Sequence, residues 1–183
     1  MGSMLLTRRS LTLGLAALPA GLGVAATEEP KPGADGLTHS SESIHQEVLF
    51  KAPRARVYQL LTRTTEFDAV TRLSDAVTLV TAPGAKPTEI SARVGGSFTL
   101  FGGYITGRHL EMLPDERLVQ AWRAGGWPAG DYSVVSFVLH DTDEGCRLVF
   151  DHRGFPEGQG SSLAYGWHVH YWDPMVKRLA QSA

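Results

Sequence analysis

Six short segments of β-forming residues follow one another between residues 89 and 153, and this run restricts the fold more than any other feature. Turn-forming glycines, prolines and acidic residues separate the segments, and no helical pattern comes between them. An uninterrupted series of this kind is typical of an antiparallel meander. The predicted strands span residues 89–93, 97–102, 104–113, 117–123, 131–141 and 146–153.

One strand and two helices are predicted ahead of this run. Residues 44–51 are rich in β-forming side chains and predict a first strand. Pro53 then stands at the start of a helix, where its missing amide is tolerated. Residues 64–70 predict a second short helix, and residues 81–88, with two prolines and a glycine, interrupt regular structure.

The carboxyl-terminal segment predicts a long helix with an aromatic face. Ser161 or Ser162 is a candidate cap, and the helix runs toward Leu179. Such a face requires an apolar partner, and the concave side of the sheet is the available one. Pro174 lacks the amide that the carbonyl of residue 170 needs, so it predicts a kink or a second helical segment. The face carries Leu163, Trp167, His170, Tyr171 and Pro174.

Five segments carry a resemblance to a known family: IHQEVLFKAP (44–53), GGSFTLFGG (95–103), GRHLEMLP (107–114), LVQAWR (118–123) and GWHVHYWDP (166–174). In this order they resemble the SRPBCC (START-like) superfamily, in the branch similar to the carboxyl-terminal domain of the activator of Hsp90 ATPase. The resemblance covers residues 44–181 and implies an α+β helix-grip fold, in which a curved antiparallel sheet wraps around a long carboxyl-terminal helix. The superfamily includes lipid carriers, hormone receptors, polyketide cyclases and cochaperone domains. It therefore implies a cavity but no single function.

The first 26 residues are typical of an export signal preceded by a cloning remnant, Met1 to Ser3. The pair Arg8-Arg9, followed by an apolar stretch that ends at Ala26, resembles the twin-arginine signal of bacteria. We expect export to the periplasm or the cell exterior, with the signal either cleaved or kept as an anchor. Residues 27–43 predict a flexible linker, and residues 44–183 the helix-grip domain.

Charge and residue spacing exclude several classes of partner. The net charge is −2, so there is no overall basic field of the kind that binds nucleic acid, and no membrane partner is predicted for the mature domain. His168 and His170 have the spacing of a metal pair on a strand, but on a helix they diverge by about 200°. We predict no metal and no cofactor.

A cavity between the aromatic helix and the sheet predicts a binding protein for a hydrophobic or aromatic small molecule. Bulky side chains on the predicted concave faces and near the loops are its candidate wall. The sequence leaves the identity of the ligand and the oligomeric state open. The predicted ligand-binding residues are Phe67, Tyr104, Trp122, Phe137, Phe150, His152, Phe155, Trp167, His170 and Tyr171.

Two other functions fit the same residues. A cavity enzyme, such as a cyclase, lyase or hydrolase, would use His152 and His170 for acid-base chemistry with Tyr171 or Tyr104 as a donor, because histidine exchanges protons near neutral pH and a tyrosine hydroxyl can donate a hydrogen bond. A cochaperone-like interaction module would instead stimulate an exported partner through the outer face of the sheet. The sequence alone leaves open whether the protein is an enzyme.

Overall fold

A computed structural model describes residues 42–181. Its seven strands form one curved antiparallel sheet in the order β1-β7-β6-β5-β4-β3-β2, which confirms the predicted α+β fold class. Consecutive strands from β2 to β7 are neighbours, as expected of a meander, and β1 completes the sheet beside β7. The strands are β1 (Ser43–Phe50), β2 (Glu89–Ile90), β3 (Ser97–Leu100), β4 (Ile105–Leu113), β5 (Arg117–Ala124), β6 (Ser133–Thr142) and β7 (Gly145–Arg153).

Three helices connect β1 to β2. The first two, α1 (Arg54–Thr62) and α2 (Thr64–Thr71), lie where the sequence predicts them. The third, α3 (Val77–Thr81), was not predicted. Four of its five residues are β-branched, and these lose side-chain freedom in a helix, so the segment has no helical signature.

The end of β3 differs from the prediction of a strand over residues 97–102. A 3₁₀ turn (Phe101–Gly103) follows Leu100 instead. All three turn residues have positive φ angles, 50°, 70° and 95°, which a strand does not accommodate. A Cβ atom at Gly102 would lie 2.3 Å from the carbonyl oxygen of Leu79, so glycine is required where α3 approaches the turn.

The carboxyl-terminal helix is continuous from Gly160 to Ala180 but changes its winding. It consists of α4 (Gly160–Trp167), a π turn (His168–Trp172) and α5 (Asp173–Ala180). Of the two outcomes predicted at Pro174, a kink or a second helical segment, the structure shows the second, since α5 begins at Asp173 directly after the π turn. Helical dihedral angles therefore continue at Trp172 and Asp173, and the proline falls in the first turn of α5, where it needs no hydrogen bond.

The start of α4 is held by a residue from the other end of the domain. The two carboxylate oxygens of Glu42 accept hydrogen bonds from the amides of Gly158 and Gly160, at 2.9 and 2.7 Å. Neither predicted cap residue has this role, and the hydroxyl of Ser162 donates to the Gln159 carbonyl instead. Glu42 lies within the predicted linker 27–43, and β1 begins at Ser43. The remainder of the linker and the predicted export signal lie outside the described residues.

Candidate functional site

A cavity of about 260 Å³ lies between the carboxyl-terminal helix and the sheet. The helix contributes one wall through α4 and the π turn, and strands β4 and β5 contribute the facing wall. The 3₁₀ turn and α3 close a third side. The principal wall residues are Leu79, Phe101, Tyr104, Ile105, Trp122, Leu163, Gly166, Trp167, His170 and Tyr171.

The cavity opens to solvent on the side of α3. Leu79 and Tyr104 both line it, yet they are 42% and 50% exposed. The deeper wall is different, because Trp122 and Trp167 are only 3% and 2% exposed. The cavity thus has an exposed rim, which includes Leu79 and Tyr104, and an aromatic interior.

Three buried polar atoms of the wall have no hydrogen-bond partner in the described part of the chain. They are Nε1 of Trp122, the hydroxyl of Tyr171 and Nδ1 of His170. Buried polar groups in proteins nearly always have a partner, so these three atoms, which belong to residues lining one space, require an explanation. Burial raises the pKa of Tyr171, and the neighbouring Trp122 indole lowers it by a smaller amount. The indole N–H and the Tyr171 hydroxyl are therefore close together, but their geometry is not that of a hydrogen bond.

The other three tryptophans, unlike Trp122, each donate their indole N–H to an acceptor. Trp127 donates its indole N–H to the side chain of Gln159 at 2.7 Å. Trp172 donates to Gln46 at 2.7 Å, and Trp167 donates to Nδ1 of His152 at 3.1 Å. Of the four tryptophans, only Trp122 lacks an acceptor for its indole N–H within residues 42–181.

The wall is electrically neutral. Among the described residues that line the cavity, none is an aspartate, glutamate, lysine or arginine. Burial lowers the pKa of His170, while the nearby carboxylate of Asp75 opposes this shift. Burial also raises the pKa of Tyr171. At neutral pH the cavity therefore presents uncharged hydrogen-bonding groups within an apolar surface.

His152 requires a correction, because it lies behind the wall rather than on it. Its Nδ1 accepts from Trp167, so Nε2 carries the proton and donates to the hydroxyl of Ser133 at 2.7 Å. That hydroxyl donates in turn to the carbonyl oxygen of Trp122 at 3.1 Å. The histidine is fully buried, and burial lowers its pKa to about 3. Both ring nitrogens are occupied, so His152 is a core residue and no acid-base partner for His170.

The ten predicted ligand-binding residues divide into two groups of five. Five lie on the cavity wall, and their role in ligand binding stays a prediction: Tyr104, Trp122, Trp167, His170 and Tyr171. The rest pack behind it, as Phe150 does against Trp167 with ring centroids 4.4 Å apart. Those behind the wall are Phe67, Phe137, Phe150, His152 and Phe155. Of the four acid-base candidates, Tyr104, His170 and Tyr171 are at the cavity.

Several residues of the cavity wall were not predicted from the sequence. Gly166 lies between two members of the aromatic face, where the missing side chain leaves space, and this gap was visible in the sequence. Leu79 and Phe101 had no such signal, since α3 and the 3₁₀ turn were not predicted. His168 is exposed while His170 reaches the cavity. Residues 42–181 contain no cluster of metal-ligating side chains.

Acid is expected to destabilise the fold through His152. An unfolded histidine titrates near pH 6.5, whereas the folded pKa is about 3. Above pH 6.5, the contribution of His152 to the free energy of unfolding has its full value. Between about pH 6.5 and 3 the unfolded state binds the additional proton, so the free energy of unfolding falls by about 1.4 kcal/mol per pH unit.

Urea denaturation at pH 7 and pH 5 measures this effect. His152→Gln keeps an acceptor for Trp167 and a donor for Ser133, so the variant should lose about 2 kcal/mol less than wild type between the two pH values. His140→Gln, at an exposed histidine of β6, is the control and should follow wild type. An equal loss in wild type and His152→Gln would contradict the assignment.

Comparison with known proteins places the chain in a recognised group. A family model described as "Activator of Hsp90 ATPase homolog 1-like protein" matches residues 51–181. The chain is similar to "Activator of 90 kDa heat shock protein ATPase homolog 1" of Mus musculus, with 25% identity over 143 residues, which is 78% of this chain and 42% of that protein. The chain thus spans less than half the length of this curated relative.

Two solved structures share the fold. An HSP90 activator from Plasmodium falciparum superimposes with a TM-score of 0.61 and 23% identity, over 76% of this chain and 96% of that chain. Protein MLL2253 from Mesorhizobium loti gives a TM-score of 0.60 and 19% identity, over 78% of this chain and 99% of that chain. At these identities the likeness concerns the fold.

Among residues 42–181, no helix is long and apolar enough to cross a bilayer.

Proposed function

The chain belongs to the family of Activator of Hsp90 ATPase homolog 1-like proteins, and from this premise we propose that its domain binds a hydrophobic or aromatic small molecule between the carboxyl-terminal helix and the sheet. The observation that carries the proposal is the set of three buried polar atoms without partners on residues that line a mainly apolar cavity. An apolar space with a few convergent polar groups is the common form of a small-molecule site.

The volume of the cavity limits the size of the guest. Drug-sized ligands occupy sites of roughly 300–1,000 Å³, whereas benzene fills an engineered cavity of about 150 Å³. The cavity here, about 260 Å³, lies between these values. A molecule with one aromatic ring and a short substituent fits best.

We further propose that the protein acts after export. The support is the Arg8-Arg9 pair with its apolar stretch, a segment outside the described residues. The twin-arginine route carries proteins that are already folded, so a domain with a preformed cavity is suited to it. Fractionation of the host should recover the protein from the envelope or the medium, and Arg8→Lys with Arg9→Lys should retain it inside the cell.

Native mass spectrometry of protein isolated from its own host tests the binding proposal. We expect a fraction of the molecules to carry one additional small molecule, released when the protein is unfolded. Protein produced in a different host serves as the control for molecules acquired during purification. If protein from the native host shows only the bare chain mass, and no compound of one or two rings binds to it, the proposal fails.

The curated relative supports a second candidate function. Its name describes an activator of the ATPase of the 90 kDa heat shock protein, and the chain covers 42% of its length. A stimulating role would require a partner that the protein meets in the same compartment. Purified protein added to the ATPase of Hsp90 from the same host is the test: a higher rate of hydrolysis supports this function, and an unchanged rate opposes it.

A further inference from the structure

The geometry points to a guest with a neutral oxygen acceptor, such as a ketone or aldehyde carbonyl, held by the indole N–H of Trp122 and the hydroxyl of Tyr171. This inference rests on the proposed function and names the ligand class for that site. The two residues are 3% and 5% exposed and belong to opposite walls, since Trp122 comes from β5 and Tyr171 from the π turn.

The type of polar group follows from the groups that lack partners. An indole N–H can only donate a hydrogen bond, so whatever satisfies Trp122 must be an acceptor. Tyr171 keeps its proton at neutral pH because burial raises its pKa, and it can donate as well. A carbonyl oxygen has two lone pairs, so one carbonyl can accept from both neighbouring residues.

The charge of the guest follows from the neutral wall. A carboxylate in the cavity would be buried without a cation, which costs several kcal/mol more than burying a neutral carbonyl. No arginine or lysine among the described wall residues offsets that cost. The carboxylate of Asp75 acts on His170 at the same wall and opposes an anion further. The site therefore favours uncharged ligands.

Three aromatic probes of nearly equal size separate the effect of the carbonyl group on affinity from the effect of charge. Acetophenone has a neutral carbonyl, ethylbenzene replaces it with a methylene group, and benzoate carries a negative charge. Titrations of the full chain, followed by the ¹H–¹⁵N signals of the tryptophan indoles, give a dissociation constant for each probe. We expect acetophenone to bind at least tenfold more tightly than ethylbenzene, and benzoate to bind more weakly than acetophenone by a similar factor or more.

The indole signals also locate the contact. The Trp122 N–H, identified by its absence in Trp122→Phe, should move downfield with acetophenone and much less with ethylbenzene. In Tyr171→Phe, which keeps the ring and removes only the hydroxyl, the preference for acetophenone over ethylbenzene should fall about threefold to tenfold. If Trp122→Phe does not fold, the Tyr171→Phe preference and the wild-type ratio still decide the inference.

The outcomes distinguish this inference from the proposed function. Equal binding of acetophenone and ethylbenzene, or tighter binding of benzoate, would overturn the inference and leave a cavity that binds aromatic molecules. Binding of none of the three probes would also overturn it. The proposed function would then be judged separately by the mass of the protein from its native host.

Discussion

Replacing Trp167 with alanine is expected to lower the free energy of unfolding by about 3–5 kcal/mol. The side chain is 2% exposed and lies at the centre of the aromatic core. Its ring centroid is 4.1 Å from that of Tyr171 and 4.4 Å from that of Phe150. Alanine would leave a large cavity that the surrounding strands and helix cannot close.

The substitution also removes a hydrogen bond. The Trp167 indole is the donor to Nδ1 of His152, and an unpaired buried nitrogen costs about 1–3 kcal/mol. Tyr165→Ala is the matched control, because Tyr165 is an aromatic residue of the same helix but is 69% exposed, and it should change stability by about 0.5 kcal/mol or less. Urea denaturation measures both variants. A loss below about 1 kcal/mol for Trp167→Ala would contradict the central position of this side chain.

Replacing Gly166 with phenylalanine is expected to abolish guest binding while leaving the fold intact. A Cβ atom at this position would have His170 Cδ2 as its nearest neighbour, at 3.9 Å, an ordinary contact distance. Side chains in helices lean toward the preceding turn, and Ser162 and Leu163 in that turn also line the cavity. The phenyl ring would thus occupy the space proposed for the guest.

The expected effect on affinity is at least about 100-fold, since the guest would have to displace a covalently attached ring. The free energy of unfolding of Gly166→Phe should not fall, because the glycine that it replaces costs about 0.5–1 kcal/mol relative to alanine within a helix. Gly166→Ala is the control: it should raise stability by that amount and change acetophenone binding by about threefold or less. Isothermal titration and thermal unfolding check both variants. Undiminished acetophenone binding in Gly166→Phe would place the guest elsewhere.

The order of elements and half of the candidate wall could be predicted from the sequence. Turn residues at short intervals define a meander, and the spacing of Trp167, His170 and Tyr171 defines one helix face. Both patterns depend only on local geometry. The position of Trp122 on the concave side followed from alternation along β5, and the structure places it on the cavity wall.

The π turn marks where local periodicity fails. Trp167 and Trp172 are five residues apart and would diverge by about 140° on an α-helix. In the structure their rings are nearly parallel, with centroids 5.6 Å apart and an angle of 20°, because a π turn brings residues i and i+5 together. Trp172 was therefore missing from the predicted aromatic face, although it is 1% exposed.

Hydrogen bonds between residues far apart in the chain could not be predicted from the sequence either. Gln46 in β1 accepts from Trp172 and donates to the carbonyl of Ala164 at 3.0 Å, which joins the first strand to the last helix. His152 has the same kind of role through Trp167 and Ser133. A histidine in a predicted cleft suggests acid-base chemistry, and only its partners show that both nitrogens are already occupied.

A crystal structure under xenon pressure tests the central claim most directly, because apolar cavities in proteins bind xenon. We predict a xenon atom in the space bounded by Phe101, Trp122 and Trp167 in the wild-type protein. The same site should be empty in Gly166→Phe crystals treated identically. Wild-type crystals in which protein side chains fill that space and no xenon is found would contradict the existence of a guest cavity between the carboxyl-terminal helix and the sheet.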